Sequence, residues 1–239
     1  MVELLKFERE GLDFPFYKDG LSKDRWLALF IGFLIPTILM FVKLPISELF
    51  FDIFLFVITT LAFAYASRGD FSLILKKPVK TDIALIIGVV ILEFVYTIVI
   101  GSIGHVLFGV SSLAPHTTMA DSFNLINFLV SFFSLFGEEL TKFFVFIILF
   151  SLLMKYSGNR KVSIVVATAL MLIYFGLLHY NVYSGKIVQI LLMISLGSIF
   201  TVFAYLKTKN ILISYICHVI FDFISIIIAL LIHTFHSLP

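Results

Sequence analysis

The sequence predicts an all-α fold, a polytopic transmembrane helical bundle of about seven spans with an N-in/C-out topology. Three observations predict it. Of 239 residues, 61% are hydrophobic and 13% are charged, against roughly 25% charged in a soluble domain. A soluble fold of this length cannot bury that much apolar surface, whereas a bilayer core is itself apolar. The apolar residues fall in runs long enough to cross about 30 Å of hydrocarbon. The Lys and Arg residues between the runs alternate in number from one connection to the next.

Taken in order, the runs are 26–42, 49–66, 83–106, 123–154, 162–180, 187–206 and 211–235. The fourth is longer than a bilayer needs, so it tilts, kinks or extends past the membrane. The segment before the first run carries Lys6, Arg9, Lys18, Lys23 and Arg25; the next connection has Lys43 alone. Then come Arg68, Lys76, Lys77 and Lys80, followed by a loop over 109–122 with no Lys or Arg. Lys155, Arg160 and Lys161 follow, then Lys186, then Lys207 and Lys209, and the tail has none. Positive charge gathers on the cytoplasmic side, so this alternation fixes both the number of spans and their orientation. Adding or removing one helix breaks it.

Residues 1–25 read as a cytoplasmic or interfacial lead-in, and 26–239 as one transmembrane domain without internal repeat or linker. Pro36 alone lies well inside a span, so the Gly/Pro-broken helices common in transporters are not evident. The net charge of +2 argues against a nucleic-acid surface, and the single Cys217 excludes an internal disulfide. No cleavable signal peptide is expected, because the first 25 residues are rich in charge.

Charged residues at membrane depth cost about 2.5–3.5 kcal/mol each, so they face the bundle interior and commonly serve a function. The fourth span carries Glu138, Glu139 and Lys142. Asn127, Ser131, Ser134, Glu138 and Lys142 advance by three or four residues and share one helix face. In the seventh span Ser214, His218, Asp222 and Ser225 do the same, with His218 and Asp222 one turn apart and able to hydrogen-bond. In the fifth, Phe175 lies one turn before His179, with its ring beneath the imidazole. Each feature alone has a structural explanation: a packed histidine, a carboxyl bonded across helices, or a self-neutralising Glu138–Lys142 pair. Adjacent glutamates with two histidines on three helices are an expensive combination for structure alone. Glu93 in the third span reads as a carboxyl bonded to a neighbouring helix or bordering the same cavity. Cys217 reads as packing. Glu48 and Asp52 read as solvated at the outer end of the second helix, and His105, His116, His233 and His236 as interfacial.

The polar residues also carry a family likeness. Glu138-Glu139 resembles the motif EExxxR, Phe175-Gly-Leu-Leu-His179 the motif FxxxH, and His218-Val-Ile-Phe-Asp222 the motif HxxxN/D, in that order and on separate spans. Together they resemble the CAAX-protease and bacteriocin-processing (CPBP, or ABI) family of intramembrane proteases, over a core at about 123–227. The likeness departs at position 143, where Phe143 stands in place of the motif arginine. Lys142 is one residue early, about 100° around the helix, and is left to pair with Glu138 or Glu139.

What the resemblance implies is an intramembrane endopeptidase acting on a membrane-associated peptide or protein without a cofactor. Glu138 is then the base that activates water, His179 helps hold that water, and His218 donates to the developing oxyanion. Asp222 orients His218, Glu139 is a secondary acid or the partner of Lys142, and Phe175 supports His179. A zinc ion on Glu138, His179 and His218 is the alternative chemistry, although no HExxH occurs on any span. A catalytically silent scaffold, or a peptide-binding or bacteriocin-immunity protein on the same fold, is the alternative function; a proton-coupled carrier is a third. The partners expected are membrane lipid and a signalling or bacteriocin precursor peptide, in a bacterial inner membrane.

Overall fold

The structure, a computed structural model, describes residues 7–18, 20–42, 47–109 and 124–236. Lys6, Lys43 and His116 lie outside those residues, as do the side chains of Glu48, His233 and His236. Seven helical stretches are long and apolar enough to cross a membrane, and the described residues contain no strand. They are α1 (Lys23–Phe41), α2 (Glu48–Ser67), α3 (Lys80–Phe108), α4 (Leu125–Ser157), α5 (Arg160–Leu178), α6 (Ile187–Thr208) and α7 (Ile211–His236).

The boundaries follow from local chemistry. Asn124 accepts from the Ile126 N–H and Asn159 from the Val162 N–H, satisfying amides that each helix start leaves open. Gly158, at φ 62°, ends α4 and lets α5 begin two residues later. The α6–α7 turn is tied down from outside. Asn210 bonds both the N–H and the carbonyl of Lys76, and the Ile211 N–H reaches the Ile74 carbonyl at 2.8 Å.

At 33 residues and about 1.5 Å per residue, α4 is the long central helix. It packs against α1, α2, α5 and α7, while α6 packs against α3, α5 and α7. Four helices therefore close a ring, α4–α5–α6–α7, in which α5 and α7 face one another across the middle. In lipid the hydrophobic effect does not drive helices together, so close fit does. Gly137 shows this: a methyl there would stand 3.1 Å from the α2 backbone at Leu55 and Phe56.

The sixth span, Ile187–Thr208, is present but is not regular α-helix throughout. Residues Ile190–Ser195 are π-helical, and regular α-helix resumes only at Ile199. There α5 packs closely on it: a methyl on Gly176 would lie 1.8 Å from the Ser195 hydroxyl. Residues 7–18 of the N-terminal segment fold against one end of the bundle. Phe14 is buried between Phe146 and Phe150, at 5.0 and 4.8 Å between ring centres. Glu8 accepts from Arg160 of α5 (2.7 and 3.0 Å) and pairs with Lys209 at 2.6 Å, and Arg9 pairs with Asp82 of α3. Apolar rings and charges of both signs alternate here, so one segment fills a hydrophobic gap and ties three helix ends. Burial opposes ionisation of Glu8, yet Arg160 and Lys209 hold its carboxyl below the usual range. Burial pulls the Lys209 ammonium down to about 8, against the pull of Glu8. The pair thus favours the carboxylate more than it favours the lysine.

Candidate active site

The polar stripe of α4 divides along its length. Asn127 is exposed, Ser131 and Glu138 are half-buried, and Ser134, Glu139 and Lys142 are buried. Ser134 donates to Asp52 of α2 at 2.8 Å. Asp52 is half-buried and bonded to α4 rather than solvated, because the stripe offers it a hydroxyl across the helix seam.

Glu139 is the hub. Its Oε1 receives His218 Nδ1 at 2.8 Å and forms an ion pair with Lys142. Its Oε2 lies 2.5 Å from the Ser214 hydroxyl, which is also 2.8 Å from the Thr201 carbonyl and has one proton to share between them. One carboxylate therefore joins α4 to α7, next to the carbonyl of α6. A cavity of about 10 Å³ adjoins Glu139, Lys142 and Ser214, room for about one water molecule. Glu138, one residue earlier, faces a different way around the helix and has no hydrogen-bond partner among the described residues.

Because a carboxylate only accepts, His218 must carry its proton on Nδ1. Its Nε2 then faces Asp222 Oδ2 at 3.6 Å, an ion-pair distance longer than a hydrogen bond. The expected His218–Asp222 contact is thus present as a charge contact, while the hydrogen bond of His218 goes across to Glu139. The same logic applies to His179, the C-cap of α5. Its Nδ1 lies 3.0 Å from the Phe175 carbonyl, so Nδ1 donates and Nε2 stays open. The Phe175 ring stands 4.9 Å from the imidazole at 67°, as the spacing predicts, and the Lys142 ammonium lies 4.6 Å from the centre of that ring. Lys142 therefore chooses Glu139, and links the α4 carboxylate to the α5 histidine through an aromatic face.

Phe143, in the place of the motif arginine, is buried against Phe16, Phe63, Phe144 and Tyr205. It packs in an aromatic core and, with Glu139 and Ser214, lines the small cavity. Cys217 is fully buried beside Val89 and Ile213, in its expected packing role. One residue near the site was not read from the sequence. Tyr183, in the α5–α6 connection, is buried and within Coulombic range of Asp222; burial, then that carboxylate, push its hydroxyl pKa up. Glu93 of α3 is 4% exposed, and its Oε2 has no hydrogen-bond partner. It borders the cluster instead of bonding a neighbouring helix.

Three helices thus bring two glutamates, two histidines and an aspartate to the middle of the ring, in the order and on the spans that the motifs require. Residues 121–224 match the type II CAAX prenyl endopeptidase Rce1-like family. The Rce1-like segment takes in α4, α5, α6 and the first half of α7, and with them every motif residue. It leaves out α1 to α3, and so Glu93. Over that segment the chain is similar to CAAX-type intramembrane proteases, and its seven apolar helices fit an integral membrane protein. No curated protein and no solved structure matches the chain.

The side chains do not form a ready zinc site. Among the described residues no three His, Cys, Asp or Glu groups stand close enough together to hold a metal ion. Nδ1 of each imidazole is already committed, and the two Nε2 atoms sit on opposite helices of the ring.

Proposed function

We propose that this protein is an intramembrane endopeptidase that hydrolyses a membrane-associated, CAAX-type peptide with water activated by Glu138. The observation that carries this reading is the division of labour between adjacent glutamates. Glu139 is engaged by Lys142, Ser214 and His218; Glu138 is half-buried, within Coulombic range of His218 and Lys142, and makes no hydrogen bond among the described residues.

The steps follow from those positions. Glu138 takes a proton from water as it attacks the scissile carbonyl, and later returns that proton to the leaving amine. His179, its Nδ1 tied to the Phe175 carbonyl, presents Nε2 to the same water. His218, its Nδ1 donating to Glu139, has to be an imidazolium to donate from Nε2 to the oxyanion. Asp222, 3.6 Å away, is the counter-ion that favours this form. Lys142 keeps Glu139 ionised, and with it the Nδ1 proton of His218. It serves in place of the motif arginine, from a neighbouring position.

A catalytically silent peptide-binding or immunity protein is the second reading, favoured by one observation: Phe143 has replaced the arginine and is built into the core. A bacterial inner membrane, suggested by the Phe-, Ile- and Lys-rich composition, goes with a signalling or bacteriocin precursor as substrate. The test is incubation of the purified protein with a pool of membrane-associated peptides including prenylated CAAX peptides, with products read by mass spectrometry. Cleavage that survives a chelator supports the glutamate mechanism. Cleavage abolished by chelator and restored by zinc supports a metal enzyme. Binding without cleavage supports the silent reading.

A further inference from the structure

The mechanism leaves one buried ionisable group beside the site unused. Glu93 lies on α3, outside the Rce1-like segment. Its place against the ring is fixed by two contacts within the next three residues. Phe94 packs on Phe221 of α7 with ring centres 4.7 Å apart, and the Tyr96 hydroxyl donates to the Leu192 carbonyl in the π-helical part of α6 at 2.7 Å. These put Glu93 level with the His218–Asp222 turn. The charged groups within Coulombic range of it are His218 and Asp222 of α7 and Lys142 and Glu139 of α4. Cys217 of α7 is in range as well.

We propose that Glu93 is a substrate-binding residue, a carboxylic acid whose O–H and carbonyl hydrogen-bond the backbone of the peptide being cut. This rests on the protease reading. Charge balance supports the uncharged form. The two cations of the cluster are matched, Lys142 by Glu139 and His218 by Glu139 and Asp222. An ionised Glu93 would be a buried charge with no cation left to meet it, which membrane depth penalises heavily.

Its partner is not in the protein. Oε2 has no hydrogen bond in a site only 4% exposed, and a buried polar atom of that kind costs free energy until something satisfies it. The substrate has the complementary deficiency. A peptide drawn into an extended form for hydrolysis loses its own helical hydrogen bonds, and lipid offers none in return. A carboxylic acid presents a donor and an acceptor side by side, matching the C=O and N–H of one extended backbone unit. Carboxamide has the same pair; an alkyl side chain has neither.

The test uses Glu93→Gln and Glu93→Leu in two settings. In the Glu138→Gln background, binding of a fluorescent prenylated CAAX peptide is measured in detergent. In the otherwise native protein, kcat/KM for the same peptide is measured. Gln is expected to stay within about threefold of Glu in both, and Leu to fall roughly tenfold or more, the scale of one lost buried hydrogen bond. Glu93→Met replaces Leu if the Leu variant is not monodisperse. Infrared spectroscopy at neutral pH is expected to show a protonated-carboxyl C=O band that Glu93→Gln removes, a readout independent of cleavage. Equal binding by Glu and Leu variants, loss in Gln equal to that in Leu, or an unchanged carboxyl band each overturns the proposal. The Gln–Leu difference in binding without any cleavage removes the protease reading and leaves Glu93 in place. Cleavage with no Gln–Leu difference does the reverse.

Discussion

Glu139 of α4 accepts from His218 Nδ1 of α7 at 2.8 Å, across two helices and 79 positions of sequence. This bond sets the tautomer of the imidazole that faces Asp222. Glu139→Gln is isosteric but removes the charge that stabilises an imidazolium. The variant is expected to bind peptide normally and to lose kcat by about 10²-fold, the lower end of what a positioned acid or base contributes. Nitrogen NMR of the histidine rings checks the cause: the His218 signals shift in Glu139→Gln and those of His179 do not.

Lys142→Met should be more damaging to the fold than its conservative shape suggests. Lys142 and Glu139 are 3% and 4% exposed at their side chains, and removing one partner of a buried pair costs about 3–5 kcal/mol because the other charge is stranded. The double variant Lys142→Met/Glu139→Gln leaves no stranded charge and should recover most of that loss. Unfolding of the three variants in detergent, followed by circular dichroism, measures it.

Gly137→Ala should destabilise by about 1–3 kcal/mol through overpacking, since the added methyl meets the α2 backbone at Leu55 and Phe56. Gly88, in α3, has nothing within 4 Å of an added methyl, so Gly88→Ala is the control and should leave the melting temperature unchanged or slightly raised. Gly137 directly precedes the two glutamates, so its alanine variant should also lower activity in the fraction that remains folded.

The N-terminal clasp gives the stability a pH dependence on the acid side. Arg160 and Lys209 hold Glu8 below its ordinary value of 4.5, with burial opposing. Lys18, Tyr17 and Arg160 likewise hold Asp13 below 3.8, again against burial. A carboxyl with a depressed folded-state value stabilises above its unfolded value, and the benefit is lost as pH falls through the folded one. The stabilisation from these two carboxylates should therefore be constant above about pH 5 and be lost as pH falls below the ordinary carboxylate range. Glu8→Gln should start at a lower melting temperature and show a shallower fall over the same range.

The number of spans, their approximate limits and the residues on each polar face were legible in the sequence, because each depends on local spacing: runs of about 20 apolar residues and steps of three or four. Phe175 beneath His179 is of this kind. What was not legible depends on contacts between helices. Nothing in the spacing says that Ser134 meets Asp52, that His218 crosses to Glu139, or that Tyr183 lies near Asp222. Nor does it mark the π-helical stretch of α6. The packing of the N-terminal segment was equally hidden, because its partners Arg160 and Lys209 lie far along the chain.

The most direct test is cleavage of a prenylated CAAX peptide by the Glu138→Gln variant, beside the wild-type protein, with peptide binding measured in parallel. Glu138 as the water-activating base requires that wild type cleaves, that Glu138→Gln binds with unchanged affinity, and that its cleavage rate falls to the uncatalysed background. Cleavage by Glu138→Gln at the wild-type rate would contradict the mechanism.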